Sequence, residues 1–207
     1  MVDHNDYYRA IAYMALFTDE ALTLSLKYTK KKVASRQIKE CLKKMNISSA
    51  EKKIGWFIHN GFRSRYHELD LYFRTITEQE RDEYFQIIPE TQLHQASFVR
   101  SHLYSLPGHT VAAFDYSLAM LLTQYTLDKK RISRSEAFSY QKQIVELVQQ
   151  GFASWEEYIK SFLVGYCFHF EISQKEHSRL VKGFTRLLSS PSSPLHTLPF
   201  HSSLSLV

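Results

Sequence analysis

Asp115 is the residue whose surroundings ask most insistently for chemistry. It sits within "VAAFDYSLAMLL", residues 111–122, where apolar residues surround nearly the whole helical cylinder. An ionised carboxylate on such a helix is costly unless it is paired or hydrogen-bonded. Its candidate partners are His109, His169, Tyr116 and a basic residue from elsewhere in the chain. With His109 or His169 within reach it forms an acid–base pair of the kind a hydrolase or transferase uses. With a helix end or a tyrosine it is a structural hydrogen bond, and the sequence favours that alternative.

A second cluster, Trp155-Glu156-Glu157, follows Ser154. Glu157 stands where a capping box needs it, and Glu156 suits the positive end of a helix. Trp155 folds over the preceding helix with Phe152 as the staple, so capping accounts for the cluster without a ligand.

The ten histidines include no HExxH and no cysteine–histidine set with zinc spacing, so no metal is expected. No GxSxG and no phosphate-cradling glycine loop occurs, so no nucleotide or other cofactor is expected. Lys32, Arg36, Lys39 and Lys43 fall on one helical face, and Trp56, Phe57, Phe62, Arg63, Arg65 and Tyr66 follow with mixed aromatic and basic character. Nucleic acid is therefore a possible partner through residues 27–65, with a solvated amphipathic helix as the favoured alternative. That stretch holds twelve Lys/Arg against Glu40 and Glu51, and an acidic stretch, 66–90, follows it.

These side chains must be positioned by helices. Ser48 with Glu51, Thr77 with Glu80, Ser133 with Glu136 and Ser154 with Glu157 all match S/T-x-x-E, each ahead of an apolar-periodic run. Gly61 and Gly151 stand where C-terminal caps belong. The pattern predicts helices near 4–31, 34–45, 49–60, 63–74, 78–87, 90–103, 109–127, 134–150, 155–170 and 174–188, with a turn at 105–109. No segment alternates like a half-buried strand. The expected fold is all-α: one compact domain of about eight to ten helices over residues 1–188, built on a central buried pair, 109–127 and 155–170. Residues 189–207, rich in serine and proline, are expected to be a mobile C-terminal tail.

The chain of 207 residues has a net charge of +5 and two cysteines, Cys41 and Cys167, without metal or CxxC spacing. A reduced, cytoplasmic setting is expected. The first residues lack the basic start and apolar run of a signal peptide, and no stretch reaches 18 apolar residues.

Residues 112–170 resemble an uncharacterised bacterial family, domain of unknown function 1266, and residues 38–66 resemble its earlier segment more loosely. The matching positions are Asp115, Ile132, Glu136, Ala137, Ser154, Trp155, Glu156, Glu157, Tyr158 and Gly165. The chain departs from the family pattern at Phe114, where the family has Trp. It departs again at Leu118 and Tyr166, where the family has Arg. The resemblance implies a fold and boundaries and brings no known activity.

The expected function is that of a bacterial, cytoplasmic interaction or accessory module, leaning away from an enzyme. It would bind a protein partner through a groove near Asp115, with Tyr116, Trp155, Glu156, Arg63 and Arg65 as contacts and no membrane involved. The alternative is a hydrolase or transferase on a phosphorylated or nucleic-acid substrate; a toxin or immunity protein is a further one.

Overall fold

The computed structural model of the protein describes residues 4–16, 43, 49–104 and 111–201. Among them the elements are helices α1 (His4–Leu16), α2 (Ala50–His59), α3 (Arg63–Thr75), α4 (Glu78–Ile87) and α5 (Glu90–Ser101). Then come α6 (Ala112–Asp128), α7 (Arg134–Gly151), α8 (Trp155–His169), α9 (Gln174–Ser189) and a 3-10 turn at Pro194–His196. No strand occurs among the described residues, and the fold is all-α. The expected helix at 34–45, the turn at 105–109, Cys41, His109 and most of the lysine face lie outside the described residues. Lys43, which is helical and exposed, is the exception.

Local signals place most helix starts. Thr77 and Ser133 each accept the amide of the glutamate three residues on, and that glutamate reaches back to the cap amide, so both boxes are complete. At α8 the hydroxyl of Ser154 accepts from the Glu157 amide, but the Glu157 carboxylate takes the amide of Ala153 instead. The cap of α2 is Ser49, one residue later than the expected Ser48. Ser173 with Glu176 caps α9 by the same rule; that match to S/T-x-x-E was there to be read. Gly61 has φ +66 and turns the chain out of α2 as a left-handed residue should. Gly151 plays no such part: it is the last residue of α7, and extended Phe152 follows it.

The core is organised round α6. Of its residues, 112–123 and Thr126 are buried, and α1, α2, α7 and α8 all pack on it. Its buried Thr123 and Thr126 donate to the carbonyls of Ala119 and Leu122 one turn back, which satisfies hydroxyls that have no water. Helices α6 and α8 form the expected central pair. They approach closely at Gly165, where a Cβ would lie 2.6 Å from the Cβ of Phe114 and 2.8 Å from the Val111 carbonyl. Helix α7 lays Ala137, Ile144, Val145 and Val148 against the core, with Tyr140 half-buried beside them.

A smaller cluster (Tyr66, Leu69, Phe73, Ala96, Val99, Val111 and Phe168) joins α3 and α5 to the far end of α8. Helix α4 contributes no fully buried residue. It is held by Phe73, which meets Tyr84 edge-on and stacks on Phe85, and by ion pairs of Arg100 with Glu78 and Asp82. The acidic stretch 66–90 is thus met chiefly by Arg74, Arg81 and Arg100, and by Arg65 from the basic stretch.

Residues 190–201 belong to the segment expected to be a mobile tail. Leu195, Leu198 and Phe200 are buried in the same core as α1 and α8. Their spacing follows neither helical nor strand periodicity, so a period-based reading passes over them. Residues 202–207 lie outside the described residues. Among the described residues no helix is long and apolar enough to cross a membrane.

Candidate functional site

Helix α3 begins without a local cap. Its cap position is Phe62, whose side chain can accept nothing, and its first turn has no acid. The orphan amides of such a terminus need an acceptor. Asp115, on α6, supplies it: Oδ1 accepts the Phe62 amide at 2.9 Å and Oδ2 the Arg63 amide at 3.0 Å. The carboxylate does across the core what Ser, Thr or Asp usually does within the chain.

Arg63 closes the arrangement. Its Nη1 donates to Asp115 Oδ2 at 3.1 Å and to the Phe57 carbonyl at 2.7 Å, while Nη2 donates to the Ile58 carbonyl at 2.6 Å. One guanidinium therefore satisfies the C-terminal carbonyls of α2 and neutralises the acid that caps α3. The same group lies 5.0 Å from the ring centre of Tyr116. Gly61 makes the turn between the two helices compact enough for this, since its place against the carboxylate has no room for a Cβ.

The Asp115 side chain is 0% exposed and that of Arg63 13%. Burial pushes the Asp115 carboxyl up to about 6, against the pull of the Arg63 guanidinium and of the amides of Arg63 and Phe62. At neutral pH the group is mainly ionised and in contact with three donors. A buried pair like this is weak evidence for added stability over an apolar substitute, yet breaking it is costly.

His169 is placed against Phe62, with ring centres 3.8 Å apart, and also neighbours Phe114 and Phe170. It is thus embedded in the aromatic packing around the Asp115 turn. The first α6 turn has its own remote acceptor: the hydroxyl of Ser161 on α8 accepts the Ala113 amide at 3.1 Å. Tyr158 donates to the Ala113 carbonyl at 3.2 Å and bonds Ser117 at 2.8 Å. Burial raises the Tyr158 phenol far above its ordinary value. Ser117 and Ser161 were not singled out from sequence, and Tyr158 stands out there only as a position matching the family pattern. The available signal was an α6 start at Val111 with no residue able to cap it.

The remaining sequence candidates are dispersed. Arg65 bonds Glu68, Tyr84 and Gln92, and so ties α3 to α4 and α5. Phe57 and Tyr66 are buried, and Trp56 and Phe62 pack partly buried against the core. The mixed aromatic–basic run of residues 56–66 is therefore spent largely on packing. Trp155 is buried at the other end of α8, 5.1 Å from Tyr7 and 5.1 Å from Phe200 between ring centres. It folds onto α1 and the 195–200 segment; the ring beside Phe152 is Tyr158. Glu156 is exposed and pairs with Lys160. Burial pushes the Cys167 thiol up to about 11, which leaves little thiolate for nucleophilic attack. Among the described residues no group of three or more His, Cys, Asp or Glu could hold a metal ion.

The sequence profile of a family described as "Protein of unknown function (DUF1266)" matches residues 45–200. The chain belongs to that family. No curated protein and no solved structure matches it. The DUF1266 match covers the α2–α3 turn, Asp115, the Ser161 and Gly165 approach, and the docked 195–200 segment. It thus extends beyond the expected 38–170 into residues taken for a tail. Leu118 and Tyr166, the positions where the resemblance implies arginines, are apolar or aromatic core residues, 1% and 0% exposed. The basic partner of Asp115 is instead Arg63, from another helix.

Proposed function

We propose that this DUF1266 protein is a non-enzymatic interaction or accessory module of the bacterial cytoplasm, with Asp115 as a strut of its scaffold. The observation that carries this reading is the enclosure of Asp115. Its oxygens are occupied by two backbone amides and a guanidinium, at a side chain with no exposed surface. A general acid or base must reach the proton it moves, and this carboxylate is turned inward. A protein partner at this face would meet the rim, through Arg63 and the exposed Asn60 and Ser64, and not the acid. The family resemblance and the paucity of cysteine support the compartment.

Asp115→Asn tests the reading. The amide keeps the shape but presents a donor to donors, so a strut predicts a loss of about 3–5 kcal/mol, the scale of a broken buried pair. A carboxylate held for function predicts stability unchanged or improved, because functional sites retain strain. An Asn variant that melts higher than the wild type would move the acid–base alternative to the front.

A further inference from the structure

Where α1, the end of α7 and the start of α8 meet, residues 195–200 pack on side chains of the kind that line peptide sites. Three side-chain donors converge on the backbone of residues 198–200. Trp155 Nε1 donates to the Leu198 carbonyl at 2.8 Å. Tyr7 and Gln149 donate to the Phe200 carbonyl at 2.7 and 3.3 Å. Leu195, Leu198 and Phe200 point into the core, while His196, Thr197 and Pro199 between them are exposed. The Phe200 ring stands edge-on to Trp155, at 87°.

Main-chain carbonyls held by fixed donors, with apolar side chains buried at intervals, are how peptide sites combine affinity with specificity. The occupant here has no regular secondary structure at residues 197–201 and makes its carbonyl bonds to side chains of the groove. It follows Ser190-Pro191-Ser192-Ser193, in which Pro191 and Ser192 are exposed. The turn is closed by the Ser193 amide on the Ser190 carbonyl at 2.9 Å, and Ser193 itself is buried. The aromatic floor of Tyr7 and Trp155 is the residue chemistry that dominates binding hot spots.

We propose that this groove is a binding site for an extended Leu-x-x-Leu-Pro-Phe-like segment of a partner protein, and that residues 195–200 fill it in cis until displaced. The inference does not depend on the role of Asp115 and survives if that residue proves catalytic. A short tether gives the cis segment an effective concentration on the order of millimolar, so a trans peptide of micromolar intrinsic affinity is weakened on the order of a hundredfold or more.

The test uses the full chain and a fluorescein-labelled peptide of residues 190–201. In the variant carrying Leu198→Asp and Phe200→Asp the cis segment is released. This variant is expected to bind the peptide at least tenfold more tightly than the wild type, by fluorescence polarisation. Adding Trp155→Phe, which removes the indole donor and keeps an aromatic ring, is expected to weaken that binding by about tenfold, the scale of one hydrogen bond. A peptide carrying the same two aspartates should not bind. A released variant that keeps its helical circular dichroism yet ignores the peptide would overturn the proposal. So would a released variant that unfolds, since the segment would then be an integral part of the core. Exchange of the segment between wild-type copies, seen as a concentration-dependent dimer in sedimentation, would assign the groove to a second copy and equally overturn it.

Discussion

A methyl group on Gly61 would lie 2.1 Å from the Oδ2 atom of Asp115. The turn that places the Phe62 and Arg63 amides on that carboxylate therefore requires glycine twice, for its φ of +66 and for the space its missing Cβ leaves. Gly61→Ala should cost more than the roughly 1–2 kcal/mol of left-handed strain alone. Gly55→Ala and Gly151→Ala meet nothing within 4 Å; Gly55, inside α2, should gain about 0.5–1 kcal/mol, and Gly151, the last residue of α7, less than that. Urea titrations of the three variants check both signs; a neutral Gly61→Ala would mean that the turn can relax away from Asp115.

Arg63 and Asp115 should behave as one unit. Arg63→Met strands the buried carboxylate and uncaps the Phe57 and Ile58 carbonyls, so a loss of about 3–5 kcal/mol is expected. Combining it with Asp115→Asn should cost clearly less than the two losses together, because the second change removes a charge already stranded by the first. Arg63→Lys should not restore stability, as a single ammonium cannot span the two carbonyls and the acid. Strict additivity of the two losses would show that the pair is not coupled.

The elevated Asp115 carboxyl gives stability a pH slope of definite sign. Folded, it titrates at about 6; unfolded, near the ordinary value of about 3.9. Between those values the folded chain holds a proton that the unfolded chain lacks. The contribution of this group to stability therefore grows as pH falls from about 6 to about 4, and diminishes as pH rises through 6. Measured against Asp115→Asn, in which all other groups titrate alike, the wild type should gain over that window. The reverse slope would show that Arg63 and the two amides outweigh burial.

The Ser161 hydroxyl should matter more than an ordinary cap. Ser161→Ala leaves the buried Ala113 amide without its acceptor, a loss of about 1–3 kcal/mol. Ser133→Ala, at an exposed complete capping box, should cost about 1 kcal/mol. Thermal melts of the two variants rank them; equal losses would mean that the Ala113 amide finds another acceptor.

Much of the fold was legible because helices announce themselves locally. Apolar periodicity and S/T-x-x-E boxes depend on residues three or four apart, and boundaries from α3 to α9 follow them closely. The need of Asp115 for a partner was legible too, since a carboxylate among Phe114, Leu118 and Met120 has few alternatives. The identity of that partner was not. Arg63 reads from the sequence as a partner contact near Asp115 and as part of a basic run, and nothing local says that its guanidinium turns inward onto another helix. Trp155 shows the same limit: its place at a helix start was visible, and its bond to Leu198 was not. Remote caps leave a trace only as an absence, a helix beginning at Phe62 or Val111 with nothing beside it to accept its amides.

The bond from Tyr7 to Phe200 has a consequence for how the chain is made. The buried face of α1, with Tyr7, Ile11 and Met14 at 0% exposure, packs on α6, which the ribosome delivers only at residues 112–128. At synthesis rates of about 5–20 residues per second, that face waits roughly 5–20 s for its principal neighbour, and longer for the phenol's acceptor. Throughout that interval α1 is an apolar surface in search of cover, open to chaperones and to neighbouring nascent chains alike. Yield at high expression should then be limited by events before folding completes, and slowing translation upstream of α6 should lengthen the period of risk.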